Sequence, residues 1–260
     1  MSAAPVAFVG AGPGAADLLT LRAVDLLAAA DVVLYPGTYL DAAVLGHCRE
    51  DARLVDTQHL DLDAIVTAIV EAHRAGRSVV RLCSGDPSLY SALHEQGRRL
   101  DAEGVPWNVT PGVPAYAAAA ALVGRELTVP LVTQSVVLTR TQARSSAMPD
   151  GESLAAFAAT GATLALHLAI TRTRTLAAEL AEHYGATCPA LVVHRASQPG
   201  ELVLRGTLAT IADAVEEAGL RQAAVILVGP ALASASEASS YLYSPERVRR
   251  EATLRKDSAR

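Results

Sequence analysis

Short apolar segments alternate with amphipathic helical segments along the first half of the chain, and this alternation limits the possible folds more than any other feature. Residues 6–9, 32–35 and 79–83 are short and apolar, and each is followed within two residues by glycine or proline, as expected of buried strands. Residues 62–70 repeat apolar side chains at helical spacing behind Asp61, a favourable residue at the start of a helix. Strands that alternate with helices form a mostly parallel sheet with both faces covered, so the pattern predicts an α/β fold.

The same pattern divides the chain into two α/β domains and a basic tail. An alanine-rich helix ends at the junction, residues 124–130, and an apolar strand at residues 135–139 begins the second half. We therefore expect an N-terminal α/β domain at residues 1–124 and a C-terminal α/β domain at residues 131–244. Residues 245–260 carry six basic and three acidic side chains and are predicted to be a disordered tail.

The composition excludes several classes of protein. Hydrophobic residues make up 51% of the 260 residues, which excludes disorder for the body of the chain. No apolar run approaches the roughly 18 residues of a membrane-spanning helix, and no signal peptide precedes the first strand, so a cytoplasmic protein is expected. The net charge of −5 argues against a nucleic-acid partner. Cys48, Cys83 and Cys188 are widely spaced and the histidines are scattered, so neither a disulfide framework nor a metal site is predicted.

The turn after the first strand contains a glycine motif. Residues 10–15 have the sequence GAGPGA, which satisfies the dinucleotide-binding pattern G-x-G-x-x-A. Two details argue against a nicotinamide cofactor. Pro13 has no N–H to donate to a pyrophosphate, and Tyr35, which ends the second strand, is followed by Pro36 instead of a ribose-binding acid. A nicotinamide-dependent oxidoreductase stays as the alternative from a different class, and a tight turn without a ligand is a third interpretation.

Two further loops are expected at the same edge of the sheet as this turn. Residues 84–88 (SGDPS) follow the third strand, before a helix predicted at about residues 88–103, and residues 110–115 (TPGVPA) follow the fourth strand. The carboxyl ends of parallel strands meet at one edge, where open α/β folds bind ligands. Because the loop residues are small, backbone groups can approach a ligand closely. The three loops together predict a ligand pocket.

These segments, in this order and spacing, resemble the tetrapyrrole (corrin/porphyrin) methylases. The resemblance rests on residues 9–14 (VGAGPG), 17–20 (DLLT), 30–35 (ADVVLY), 84–87 (SGDP), 111–113 (PGV) and 222–229 (QAAVILVG). Residues 127–130 (LTVP) and 133–140 (TQSVVLTR) are similar in particular to the branch that methylates C11 of precorrin-4, including its cobalt-pathway counterpart. The resemblance covers residues 5–232 and leaves open whether the substrate carries cobalt.

The resemblance implies a homodimer of two-domain subunits, with the active site in the cleft between the two α/β domains. It implies that the site binds S-adenosylmethionine and transfers the methyl group to a precorrin in cobalamin biosynthesis. Carried over position by position, it implies cofactor contacts at Pro13, Ser84, Gly85, Asp86, Leu89, Pro114, Ala115, Leu168, Ala196 and Ala224. Most of these residues are small or apolar, which suits recognition of the adenosyl group by backbone atoms and by shape.

Candidate substrate-binding residues follow from the many carboxylates of such a substrate. Arg140 and Arg144 can pair with carboxylates and His59 can donate a hydrogen bond, although each is also interpretable as an ordinary surface side chain. The uroporphyrinogen III branch has an acid and a lysine where this chain has Pro36 and about residues 57–58, which argues against that substrate. No catalytic base is identified. Another precorrin methylase and a non-catalytic tetrapyrrole-binding protein are the remaining alternatives.

Overall fold

The chain forms two α/β units, in agreement with the predicted fold class. The computed structural model describes residues 4–37, 40–141, 147–233 and 247. The first unit consists of Met1–Leu122 with Val193–Leu202, and the second of Val123–Val192 with Val203–Arg260. The domain ranges 1–124 and 131–244 stay predictions. The tail predicted at residues 245–260 lies outside the described residues apart from Arg247.

A parallel sheet forms the centre of the first unit. Its strands are β1 (Val6–Gly10), β2 (Val32–Tyr35), β3 (Arg53–Asp56), β4 (Val79–Cys83) and β5 (Trp107–Thr110). They lie side by side in the order β3-β2-β4-β1-β5, and each neighbouring pair is parallel. The carboxyl ends of these strands therefore meet at one edge, and the expectation of a mostly parallel sheet is confirmed.

Helices cover this sheet on both faces. They are α1 (Leu21–Ala29), α2 (Ala42–Leu45), α3 (Leu62–Arg74), α4 (Leu93–Ala102) and α5 (Ala115–Val123). Thr20 caps α1 and Asp61 caps α3, each by accepting a hydrogen bond from the backbone N–H three residues further on, at 3.1 and 2.8 Å. Successive strand residues point to opposite faces, so Phe8 packs in the apolar cluster with α3 while Val9 packs in the cluster with α1.

Two local features of the first unit differ from the sequence-based expectation. The sequence pattern does not predict β3, because this strand lies at the edge of the sheet and exposes most of its side chains, including Leu54. The helix predicted to begin at residue 88 begins at Leu93 instead. Tyr90 and Ala92 each have a φ of 54°, in the left-handed region that a right-handed helix excludes. Residues 84–92 therefore form a long loop after β4.

A mixed sheet forms the centre of the second unit. Its strands are β6 (Val136–Arg140), β7 (Thr163–His167), β8 (Pro189–His194), β9 (Leu202–Thr207) and β10 (Ala224–Val228), and its helices are α6 (Leu154–Ala158), α7 (Thr173–Tyr184) and α8 (Ile211–Glu217). The strand order is β6-β7-β10-β8-β9, with β7 parallel to β6 and antiparallel to β10. Leu166, Val192 and Ile226 are buried in its apolar core. The connection from β8 to β9 belongs to the first unit.

Candidate active site

The three loops predicted to bind a ligand lie next to one another at the carboxyl edge of the first sheet. They follow β4, β1 and β5, which are neighbours in the sheet. The loops after β1 and β4 also pair with each other. The N–H of Gly12 donates to the carbonyl oxygen of Gly85 at 3.1 Å, and the N–H of Gly85 donates to that of Gly12 at 2.8 Å. Backbone hydrogen bonds thus join two of the three loops directly.

Glycines allow the backbones of these loops to approach closely. A Cβ atom at Gly112 would lie 2.3 Å from the carbonyl oxygen of Gly85 and 2.8 Å from Cα of Gly10. Gly85 differs, because a Cβ atom there would meet its nearest neighbours at 3.6 Å, an ordinary contact. Gly85 instead has a φ of +67°, which favours glycine. A Cβ atom at Gly10 would likewise lie 2.5 Å from the backbone nitrogen of Gly112. Lack of space therefore requires glycine at positions 10 and 112, and backbone conformation favours it at position 85.

Asp86 ties the loop after β4 to the loop after β5. Its Oδ2 accepts a hydrogen bond from the N–H of Gly112 at 2.8 Å, and its Oδ1 accepts from the N–H of Ser88 at 2.8 Å and from the Ser88 hydroxyl. Burial acts to raise the pKa of Asp86, but the hydrogen bonds from Ser88 and Gly112 outweigh it, so the pKa lies below its ordinary value. The carboxylate is thus used to hold the loops in place.

Asp86→Asn is expected to lower the free energy of unfolding by about 1–2 kcal/mol at pH 7, since hydrogen bonds to a carboxylate are lost and the group is partly exposed. The pKa is lowered in the folded state, so the ionised group stabilises the fold above its unfolded pKa of about 3.9. This contribution is lost as the pH falls through the folded pKa. Urea unfolding at pH 7 and below pH 4 measures the difference, with Asp25→Asn on the exposed side of α1 as the control. If Asp86→Asn lowered the free energy of unfolding by the same amount at both pH values, the charge of Asp86 would have no role in stability.

The loop after β1 is held by a segment far along the chain. Oγ of Ser197 accepts a hydrogen bond from the N–H of Ala15 at 3.3 Å, and Nε2 of Gln198 donates to the carbonyl oxygen of Pro13 at 2.6 Å. Ala196, a predicted cofactor contact, is buried immediately before these two residues. Sequence reasoning did not identify Ser197 or Gln198, and no local pattern distinguishes them from other polar loop residues.

Eight predicted cofactor residues belong to the first unit: Pro13, Ser84, Gly85, Asp86, Leu89, Pro114, Ala115 and Ala196. Six of them lie in the three loops, and Ala115 is the first residue of α5, directly after the third loop. Ala196 lies directly before the two residues that hold the first loop. Ser84 is exposed, whereas Leu89, Pro114 and Ala115 are half-buried. The sheet therefore brings together residues that are far apart in the sequence.

Two further predicted cofactor residues, Leu168 and Ala224, belong to the second unit. Ala224 is the first residue of β10, and Leu168 directly follows β7, the strand with which β10 pairs. Leu168 is 56% exposed and has a φ of 53°, which is unusual for a leucine. An exposed apolar side chain held in such a conformation is typical of a functional position.

The predicted substrate residues are distributed over both units. His59 is exposed in the turn between β3 and α3 of the first unit, and Arg140 is half-buried at the carboxyl end of β6 in the second. Arg144 lies outside the described residues. The register of β6 and β7 sets His167 beside Arg140, a neighbour that sequence reasoning missed. Burial lowers the pKa of His167, so its imidazole is neutral at pH 7.

Parallel strands whose small-residue loops meet at one carboxyl edge define an α/β ligand-binding protein. The chain belongs to the Tetrapyrrole (Corrin/Porphyrin) Methylases, whose family pattern matches residues 5–212. It is 54% identical over 244 residues to the precorrin-4 C(11)-methyltransferase of Rhodococcus erythropolis, which covers 94% of this chain and 98% of the relative. It is 47% identical over 242 residues to the enzyme of the same name from Pseudomonas aeruginosa, covering 93% and 96%. The predicted family is confirmed.

Cobalt-pathway and uroporphyrin enzymes are more distant relatives. The cobalt-precorrin-4 C(11)-methyltransferase of Methanocaldococcus jannaschii is 36% identical over 239 residues, covering 92% of each chain. A solved cobalt precorrin-4 methyltransferase superposes with a TM-score of 0.85 at 36% identity, covering 88% of this chain and 96% of that one. A uroporphyrin-III C-methyltransferase from Thermus thermophilus, complexed with S-adenosylhomocysteine, has a TM-score of 0.75 at 30% identity, covering 91% and 97%. The fold is therefore that of a two-domain α/β methylase.

Proposed function

We propose that this protein uses S-adenosylmethionine to methylate C11 of precorrin-4, giving precorrin-5 in cobalamin biosynthesis. The observation that carries the proposal is the 47–54% identity, over nearly the whole chain, to relatives named for that reaction. The uroporphyrin-III enzyme from Thermus thermophilus is 30% identical. The lower identity agrees with the missing acid and lysine of the uroporphyrinogen branch.

The residues at the edge of the first sheet suit S-adenosylmethionine. This cofactor would supply a methyl group that is bonded to a positively charged sulfur. A nucleophilic carbon of the substrate bonds to the methyl carbon, and the sulfur leaves on the opposite side as a neutral thioether. Pro13, Ser84, Pro114 and Ala115 have small, uncharged side chains where the three loops meet, so the adenosyl group can lie against backbone atoms there. These features support the family's cofactor at this edge of the first sheet.

Methyl transfer of this kind depends chiefly on how the two reactants are oriented. A carbon of the macrocycle must face the methyl group at close range in a site that excludes water. Arg140 can hold a substrate carboxylate through paired N–H donors, and His59 can donate a further hydrogen bond from the first unit. Fixed carboxylates restrict rotation of the ring system and so select one carbon among several similar nucleophiles.

Metal-free precorrin-4 is the favoured form of the substrate. The relatives named for precorrin-4 are 47–54% identical to this chain, whereas the Methanocaldococcus jannaschii enzyme, named for cobalt-precorrin-4, is 36% identical. The homodimer, which the resemblance implies, and the cytoplasmic location, which the lack of a long apolar run and of a signal peptide suggests, stay predictions. None of the described helices is long and apolar enough to span a membrane.

Incubation of the protein with precorrin-4 and S-adenosylmethionine labelled with ¹³C in the methyl group is expected to give one new methyl resonance, at C11 of the product. Carbon NMR and mass spectrometry identify the site and the number of added methyl groups. A parallel incubation with cobalt-precorrin-4 compares the two substrate forms.

The control is the same reaction without precorrin-4, which must leave the label on the cofactor. A label at C17, C1 or C20, or methylation of uroporphyrinogen III instead, would overturn the proposed position while leaving the family unchanged. Faster turnover of cobalt-precorrin-4 would contradict the preference for the metal-free form.

A further inference from the structure

Arg81 is a buried cation in the middle of β4. Only 8% of the residue is exposed, and its guanidinium donates three hydrogen bonds from Nε and Nη1. The acceptors are Oε1 of Gln96 at 3.2 Å, Oγ1 of Thr57 at 3.2 Å and the carbonyl oxygen of Leu82 at 3.1 Å. All three are uncharged oxygens, so none of them balances the positive charge.

No carboxylate lies within 4 Å of this guanidinium in the part of the chain that the structure describes. The described ion pairs belong to surface arginines such as Arg49, Arg99 and Arg174. Burial lowers the pKa of Arg81, because the charged form loses its hydration there. A guanidinium nevertheless stays protonated in a folded protein, so the cost of burying this charge is not offset by an anion of the protein.

Part of the donor capacity of Arg81 is also unused. A guanidinium has five N–H groups, and the two on Nη2 donate to no acceptor among the described residues. An anionic oxygen at Nη2 would satisfy these donors and supply the missing negative charge. Nη2 is not among the fully buried side-chain atoms that lack a partner, so it keeps a small exposed surface through which such a group can reach it.

The strand order sets Arg81 beside the predicted cofactor loops but on their far side. Those loops follow β4, β1 and β5, whereas Thr57, one of the three acceptors of Arg81, directly follows β3 at the other side of β4. Thr57, which accepts from Arg81, donates its own hydroxyl hydrogen to the carbonyl oxygen of Tyr35 at the end of β2, at 3.1 Å. His59 is exposed two residues further on. A ligand at the β2–β3 side would thus adjoin a cofactor held by the other three strands.

We infer that Arg81 forms a carboxylate subsite, in which Nη2 binds one acidic side chain of the tetrapyrrole at the β2–β3 side of the first sheet. The inference rests on the proposed function and adds to it a substrate contact within the first unit. A charge-assisted hydrogen bond to a buried guanidinium is stronger than one at the surface, because water does not compete for it. One anchored carboxylate fixes an edge of the macrocycle beside the cofactor loops.

The test compares Arg81→Met and Arg81→Lys with the wild-type protein, and uses Arg53→Met as the matched control. Arg53 lies on β3, which β2 separates from the strand of Arg81, and it is exposed. Steady-state kinetics give kcat and KM for precorrin-4, and calorimetry gives the Kd for S-adenosylmethionine. Arg81→Met is expected to raise KM by about 10-fold to 100-fold while the cofactor Kd changes less than about 2-fold. Arg81→Lys keeps the charge and should recover part of the loss, and Arg53→Met should match the wild type.

Two results would overturn the subsite. An unchanged KM in folded Arg81→Met would show that no substrate carboxylate binds there. Increases of similar size in KM and in the cofactor Kd would show that Arg81 only holds the loop after β4. It would do so through Gln96, whose Nε2 donates a hydrogen bond to the carbonyl oxygen of Ser91 in that loop at 3.0 Å. Failure of the wild-type protein to methylate precorrin-4 at all is a separate outcome, which overturns the proposed function and this inference with it.

A second measurement covers the case in which Arg81→Met does not fold. Wild-type protein with ¹⁵N-labelled arginine is saturated with S-adenosylhomocysteine, and precorrin-4 is then added. The buried guanidinium is recognised by its NMR contacts with Thr57 and Gln96. Its Nη resonances are expected to move on addition of precorrin-4 and to stay in place when the chemically esterified substrate is added instead. Equal shifts with both compounds, or none with either, would overturn the subsite.

Discussion

Gly112→Ala is expected to weaken the binding of S-adenosylmethionine at least 100-fold, which corresponds to about 2.7 kcal/mol. The added methyl group would lie 2.3 Å from the carbonyl oxygen of Gly85 and 2.8 Å from Cα of Gly10, and both are backbone atoms that cannot rotate away. The loops after β1, β4 and β5 would have to separate. The hydrogen bond from the N–H of Gly112 to Asp86 would then be strained or lost. Calorimetry with S-adenosylmethionine measures the affinity.

The matched control for this variant is Gly151→Ala. Gly151, like Gly112, does not have a left-handed φ, and a Cβ atom there would meet nothing within 4 Å. The control should bind the cofactor as the wild type does, which separates the effect of crowding from that of replacing any glycine. Near-UV circular dichroism checks that Gly112→Ala stays folded. Normal affinity in the folded variant would contradict the assignment of the cofactor to these loops.

Phe8→Ala is expected to lower the free energy of unfolding by about 3–5 kcal/mol. Phe8 is fully buried in the cluster under α3, and its ring meets that of Trp107 edge-on, with the centroids 5.7 Å apart and the planes at 81°. The substitution removes a large apolar side chain from the middle of β1 and leaves a cavity, and it also removes the aromatic pair. Chemical unfolding followed by the fluorescence of Trp107, the single tryptophan of the chain, measures the loss.

Phe157→Ala is the control for this prediction, because the chain has only two phenylalanines. Phe157 lies in α6 and is only partly buried against the core of the second unit. Its replacement should cost less, about 1–2 kcal/mol, since less apolar area is removed from contact with its neighbours. A loss for Phe8→Ala no larger than that for Phe157→Ala would show that the first sheet repacks around the cavity.

Much of the first sheet could be predicted because its signals are local. Strands β1, β2 and β4 are apolar runs that end at glycine or proline, and Thr20 and Asp61 mark the starts of two helices. Strand β3 lacks such a signal because an edge strand does not need to bury its side chains on both faces. The start of α4 was predicted too early, because Tyr90 and Ala92 adopt left-handed conformations that neither residue type favours.

The candidate site could be predicted only in part. The three glycine-rich and proline-rich loops could be expected at one edge, since parallel strands end there, and the strand order makes them neighbours. The contacts of Ser197 and Gln198 with the first loop join residues 182 and 185 positions apart, and no short-range pattern encodes them. Arg81 interrupts an apolar strand, but its lack of an acidic partner becomes visible only when Thr57 and Gln96 are seen around it.

The late position of Ser197 and Gln198 has a consequence for synthesis on the ribosome. All five strands of the first sheet have been made once residue 110 is added, so the sheet can begin to form while the rest of the chain is still being translated. The two residues that hold the first ligand loop are added 87 and 88 positions later. At about 5–20 residues per second, the nascent sheet waits roughly 4–18 s for them. The first loop therefore forms these two hydrogen bonds only after about half of the second unit has been translated.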